Sequence, residues 1–302
     1  MPGRVVPRLT APVLRGGVIA VAVLLLAGCL GVSVGKDGAD GTPGVDGLSG
    51  ADGADGSTGT DGADGADGSP GLSYSDPDAV SGSGQLTSRQ LTFSDVTTLV
   101  VGAGFVVHVT IGEPEQATIR MDDNLTDLVD TTVTGDQLRL GLKPGASVRN
   151  ATLSAEVTVR DLDRLTASGV SQVTLASELT GPALHLDASG ASRITGAVRV
   201  ERVEASASGA GTLALSGHAG HLDLHGSGTS GLKLPDLAVR DVDAELSGAS
   251  CATVAASDTL AARVSGASTL RYSGTPRITR QQTSGVSSIE AAGSLSGDRC
   301  GT

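Results

Sequence analysis

From Leu91 onward the chain alternates apolar and polar residues in short runs. "VVHVTI" sets Val107, Val109 and Ile111 on one face, and "ATIRM" does the same with Ile119 and Met121. "QLRLGL" and "TLSAEVTV" continue the pattern. A period of two sends alternate side chains to opposite faces, so these runs predict half-buried β-strands. "LHLDASGASRITG", from Leu184 to Gly196, starts the same way, with Leu184 and Leu186 alternating against His185 and Asp187. It then puts Ala, Ser and Gly where a strand carries its large residues. The motif occurs seven times: "SGVSQV" at 168, "SGASRI" at 189, "SGAGTL" at 208, "SGTSGL" at 227, "SGASCA" at 247, "SGASTL" at 265 and "SGVSSI" at 284. The steps are 21, 19, 19, 20, 18 and 19 residues. A period near 20 with alternation inside it predicts an all-β fold, a β-solenoid with one coil per repeat.

Counting in twos through each Gly gives the wall that faces inward. The first coil gives Leu165, Ala167, Gly169, Ser171, Val173 and Leu175; the second gives Leu184, Leu186, Ala188, Gly190, Ser192 and Ile194. Large apolar residues stand at both ends and small ones in the middle. The small residues predict a corner or a narrow place, with each Ser stacked on its copy one coil away. The last coil has Thr279, Gln281 and Thr283 where the second has Leu184, Leu186 and Ala188. Residues 275–290 therefore read as a polar terminal cap.

Composition sharpens this picture. The 302 residues include 44 Gly, 2 Phe, 2 Tyr and no Trp. A core without rings has to be thin and made of Leu, Val, Ile and Ala, which suits a stacked protein. The net charge is -12, and residues 1–28 hold three Arg and no acid, so the remainder carries -15. An acidic chain with few rings points away from nucleic acid as a partner.

The first 28 residues read as an export signal, with Arg4, Arg8 and Arg15 ahead of the apolar run "VIAVAVLLLAG" at 18–28. That run is too short to span a bilayer. "LAGC" ends at Cys29 and resembles the lipobox of bacterial lipoproteins, where this Cys becomes the lipidated first residue of the mature chain. Leu30 after it favours the outer membrane in a cell with two membranes. Residues 29–34 would then be the anchored N-terminus, with the membrane as partner through the lipid. Gly falls at every third position from Gly35 to Gly71, thirteen times without a break. This is the collagen period, set by the lack of room at a triple-helix axis. Eight of the thirteen third positions are Asp, and Lys36 is the single cation, so three such strands repel one another. Cations or the downstream domain must help, or the segment is a self-extending spacer. The period favours a collagen-like stalk over residues 35–73, which would make a homotrimer. Residues 74–90 read as a linker, 91–291 as the solenoid head and 292–302 as a tail.

The strand-rich lead-in "GFVVHVTIG", then "DNLTDLVDTTVTGDQLRL", then the recurring Ser-Gly motif resemble the head GIN domain family, labelled auto-transporter adhesins. The resemblance covers about 91–291. It implies a β-helical fold on exported, often lipidated envelope proteins, and it implies no catalytic residues.

Several motifs fail their context. "GSGTSG" at 226–231 has the dinucleotide-binding spacing but no helix pattern after it. "GVSVG" at 31–35 matches a nucleophile elbow but has no strand and helix around it. "NLT" and "NAT", at 124 and 150, are glycosylation sequons in form only, because the lipobox points to a bacterial cell. Cys251 and Cys300 remain once Cys29 is lipidated. Cys251 falls on an outward position, and a tail Cys could reach it in an oxidising compartment, so a disulfide clipping the tail is favoured over two free thiols.

The outward positions carry the sharpest chemistry. Five residues before each repeat Gly stand Arg164, His185, Glu204, Asp223, Asp243, Ala261 and Arg280. Three before stand Thr166, Asp187, Ser206, His225, Glu245, Arg263 and Gln282. Stacked coils would set these about 4.8 Å apart. His185, Asp187, Glu204, Asp223, His225, Asp243 and Glu245 would then form one acidic patch flanked by Arg164 and Arg263. Oxygen-rich groups suit Ca²⁺, so a structural calcium ion is the candidate cofactor, set against a plain solvated face. His218 and His221 give a weaker zinc reading. Three function classes remain. The first is a non-enzymatic envelope module for binding or adhesion, with an unknown surface or matrix ligand. The second is a structural or sensory envelope protein without a specific ligand. The third, a polysaccharide-acting enzyme, is weakened because Phe93, Phe105 and Tyr272 are the head's only rings.

Overall fold

A computed structural model describes residues 78–293. The export signal, Cys29, the Gly-x-y stretch and Cys300 lie outside these residues. The described part is built of strands with a single 3-10 turn at Asp123–Leu125 and no α-helix. It forms a β-solenoid of about seven turns, as the period predicts.

Each central coil is one long strand followed by a tight corner. The strands Arg193–Ala207, Thr212–Gly226, Gly231–Leu246 and Cys251–Val264 lie side by side in parallel. Equivalent residues pair coil to coil, so Leu186 pairs with Ala205, Ala205 with Leu224 and Leu224 with Ala244. Three segments make up each coil. Against the preceding coil, the strand Arg193–Ala207 pairs first from Arg193 to Thr195 and next from Val198 to Val200. The third runs from Arg202 to Ala207. At the second bend Glu201 and Arg202 both face solvent, and the ladder skips the pairing of Glu201 with Gly220. Pro235 falls in a register shift between Leu234 and Ala238, where a missing N–H costs no ladder bond.

The core is thin and aliphatic. Leu165, Leu184, Ala188, Ile194, Leu213, Leu222, Leu232 and Leu260 are fully buried, and Phe105 is the one buried ring among the described residues. In the central coils the inward wall agrees with the count in twos except at the repeat glycines. Ser171, Ser192, Ser230, Ser250 and Ser268 are buried, while each repeat Gly is exposed. The reason lies in the corner. Gly169, Gly190, Gly209, Gly228, Gly248, Gly266 and Gly285 all have φ between 65° and 77°. That left-handed conformation turns the chain outward for one step and back again. The corners also touch. A Cβ on Gly228 would sit 2.7 Å from the Gly209 carbonyl oxygen, and one on Gly248 2.6 Å from that of Gly228. The next N–H donates to the same oxygen, as Thr229 does to Gly209 and Ala249 to Gly228, both at 2.7 Å. The small residues mark a corner, and the ladder runs through it unbroken.

Most of the buried serines find a partner, whereas the Ser230 hydroxyl is buried without one. Ser171 donates to the Ser168 carbonyl at 2.7 Å and Ser192 to that of Ala167 at 2.9 Å. Ser250 stacks on its copy Ser268, with their hydroxyls 3.2 Å apart.

The two ends differ from the middle. Before the first Ser-Gly corner, Gln116–Asp122 pairs antiparallel with both Leu86–Thr92 and Leu153–Val159. This antiparallel cap closes one end. Two buried carboxylates tie its loops. Asp122 accepts from the N–H groups of Gly84 and Thr152 at 2.7 Å each. Glu115 accepts from Asp95 at 2.8 Å and Arg160 at 3.3 Å. At the other end Thr279, Gln281 and Thr283 are exposed, as expected of a polar cap. The alignment needs one correction. Ile278, not Thr279, pairs with Leu260, because a bulge between Leu260 and Ala261 lifts Thr279 out of register.

Candidate functional site

The third segment of each coil, just ahead of the corner, presents the outward columns that the sequence aligns. His185 pairs with Glu204, Glu204 with Asp223, Asp223 with Asp243 and Asp243 with Ala261. Asp187, Ser206, His225, Glu245, Arg263 and Gln282 form the second column. Arg164 borders the face beside His185.

The side chains do not leave this face uniformly acidic. Glu204 lies 2.7 Å from His185 Nδ1. Asp223 receives a hydrogen bond from Arg202 at 2.8 Å and lies 3.0 Å from His221 Nε2. Glu245 accepts from Arg263 at 3.1 Å and lies 3.9 Å from His225 Nδ1. Arg280 reaches Asp243 at 3.6 Å. Stacking like charges at strand spacing is unfavourable, and these pairings relieve it. Asp187 has no ion-pair partner among the described residues. The seven candidate calcium ligands thus share a face, but most of their carboxylates are engaged by cations. Among the described residues no three His, Cys, Asp or Glu side chains gather so as to hold a metal ion. His218 stands on the second segment, apart from His221 and its Asp223 contact.

Two residues beyond Asp187, and at each equivalent place, comes the first Ser of the motif. Between the charged column and the corners runs a trough of about 640 Å³. The trough runs from Asp187 and Ser206 past His225 and Glu245 to Arg263 and Gln282. Its other wall holds Ser208, Ser227, Ser247, Ser265 and Ser284. Ser247 and Ser265 donate to backbone carbonyls one coil back, at 3.4 and 3.2 Å. The hydroxyls of Ser208, Ser227 and Ser284 make no hydrogen bond among the described residues. Alternation alone marks these serines only as small. Their recurrence at all seven copies was the available signal. A strict period of two cannot show the double outward step at the bend, so it does not place Arg202, or His221 beyond its zinc reading, against Asp223.

A second groove, of about 900 Å³, follows that bend. Its floor is Val200, Ala219, Val239 and Ala256. Arg199 and Arg240 on its rim are held by Glu178 at 3.2 Å and Glu201 at 3.5 Å. Asp241 next to it has its carboxyl held below the usual carboxylate range by the Thr259 hydroxyl at 2.6 Å and by the Arg240 guanidinium. Cys251 is half-buried and disulfide-bonded.

The family described as "Putative auto-transporter adhesin, head GIN domain" matches residues 95–276. The chain belongs to the head GIN domain family. The collagen triple helix repeat matches residues 28–76, ahead of the head. Solved structures share the solenoid. One, described as a "putative adhesin" from Bacteroides fragilis, is 22% identical with a TM-score of 0.66, over 71% of this chain and 100% of that one. Another, described likewise and from Parabacteroides merdae, is 21% identical with a TM-score of 0.58, over 71% and 99%. No curated protein matches the chain. This head GIN domain is thus an adhesin-like β-solenoid behind a collagen-like segment.

Proposed function

We propose that this chain is a cell-envelope lipoprotein that displays a non-enzymatic β-helical adhesion head on a collagen-like stalk. The order of parts carries the reading: a signal ending in the Cys29 lipobox, a collagen match over 28–76, then a head GIN match over 95–276. Anchor, spacer and repeating surface in that order suit a protein that holds a binding face away from the membrane. The Gly-x-y stretch gathers heads into trimers, so weak contacts add through avidity. The acids of the head are largely engaged in ion pairs and its one fully buried ring is in the core, which supports binding without catalysis. Cys300 closes a disulfide with Cys251 and clips the tail across the last two coils.

Membrane fractionation with mass spectrometry of the N-terminal peptide tests the anchor. The wild type is expected in the membrane fraction with a diacylglyceryl Cys29, and Cys29→Ser in the soluble fraction. An unmodified Cys29 on a released protein would overturn the lipoprotein reading.

A further inference from the structure

We infer that the trough beside the Ser-Gly corners holds an uncharged, linear glycan lying along the solenoid axis. This rests on the adhesion reading above and names its ligand class.

The repeat sets the ligand's geometry. Anything lying in the trough crosses the coils and meets one serine and one residue of the charged column about every 4.8 Å. A sugar ring in an extended chain advances by a similar distance. An extended peptide advances about 3.3 Å per residue and falls out of step. It would also lie across the strands, with no free edge to pair against.

The lining sets the chemistry. Ser208, Ser227 and Ser284 present hydroxyls without intramolecular partners, and a hydroxyl both donates and accepts. Asp187 adds an acceptor, the Gln282 amide N–H groups add donors, and Arg263 adds a donor held in place by Glu245 and by the Gln282 carbonyl, both at 3.1 Å. Sugar hydroxyls need this mixture. The column lining the trough carries only two carboxylates, Asp187 and Glu245, and one guanidinium, Arg263, so a highly charged polymer finds no matching charge at each step. No Phe or Tyr lines the trough for a sugar to stack on, so each step contributes mainly hydrogen bonds. Affinity must then accumulate with length, until the ligand spans the six coils from Asp187 to Gln282.

Titration calorimetry of the full chain in detergent tests this. The probes are β-1,4-linked glucose and β-1,4-linked N-acetylglucosamine oligomers of increasing length, with α-1,4-linked glucose oligomers as curved controls. At least one extended series is expected to bind more tightly with each added ring and then level off, while the curved series does not. Ser227→Phe, which fills the trough, and Glu245→Gln, which removes the carboxylate holding the Arg263 guanidinium, are each expected to weaken the longest oligomer about ten-fold. Their thermal midpoints should stay near wild type. Failure of both extended series, binding without length dependence, or folded variants with wild-type affinity would overturn the proposal. Beads coated with the full chain separate this from the adhesion reading. Adhesion to cells or matrix that survives periodate oxidation of the target's sugars and is lost on protease treatment overturns the glycan while leaving adhesion intact. Beads that adhere to nothing, together with failed titrations, overturn both.

Discussion

At the scale of single residues, the corners decide what can be changed. Gly228 has φ 71° and its neighbour's carbonyl 2.7 Å from any added Cβ. The left-handed conformation alone costs a residue with a Cβ about 1–2 kcal/mol, and the close oxygen adds to that. Gly228→Ala is therefore expected to lose at least about 1 kcal/mol in urea unfolding. Gly231, whose added Cβ would meet nothing nearer than 3.9 Å, is expected to tolerate Ala. Equal losses at both would show that the corner geometry is not the cause. Glu115 gives a pH test. Burial pushes its carboxyl up, but the N–H groups of Asp95 and Arg160 and the Arg160 guanidinium outweigh burial and leave it below its usual value. A carboxyl depressed in the folded state stabilises above its unfolded pKa of about 4.3, and that contribution is lost as pH falls through the folded value. Glu115→Gln should be less stable than wild type at neutral pH, and the gap should narrow in acid. A gap constant across that range would rule out the ionised carboxylate as the source.

At the scale of elements, every coil is held by its two neighbours, and the ends need protection. The last coil supplies it with Gln281 and Thr283, which pair with the inward Ala262 and Val264 yet stand exposed. Polar residues here keep an open strand edge from recruiting another chain. Replacing both with Val is expected to produce end-to-end association in light scattering, while the central coils keep their strand signal in circular dichroism. A double variant that stays dispersed at high concentration would mean that the tail, not the polar coil, guards this end. The ion pairs across the charged columns act differently. They are half-exposed, each is worth about 0–1 kcal/mol, and their role is to settle the face rather than to hold the coils together.

At the scale of the whole molecule, the stalk and the head divide the work. If the Gly-x-y stretch trimerises, sedimentation of the full chain will give a trimer, and deletion of residues 35–73 will give a monomer. Eight Asp per strand make that trimer sensitive to divalent cations, so EDTA should weaken it. A monomer under all conditions would leave the stretch as a spacer and remove avidity from the functional argument.

The sequence by itself determined the solenoid, its coil length, its inward wall and the two outward columns. These follow from one strict alternation and one repeat, which fix the face and the neighbour of each residue in advance. The register of His185 with Glu204 and Asp187 with Ser206 was countable from the motif alone. Tertiary structure decided what the alternation cannot carry. The corner glycines face outward because a left-handed φ breaks the period of two. Glu201 and Arg202 turn out together at a bend, which brings Arg202 and His221 onto Asp223. The bulge at Thr279 gives Ile278 its place. Each changes which side chains meet, and so a face that counts as acidic in the sequence becomes a paired, grooved and hydroxyl-lined surface in the fold.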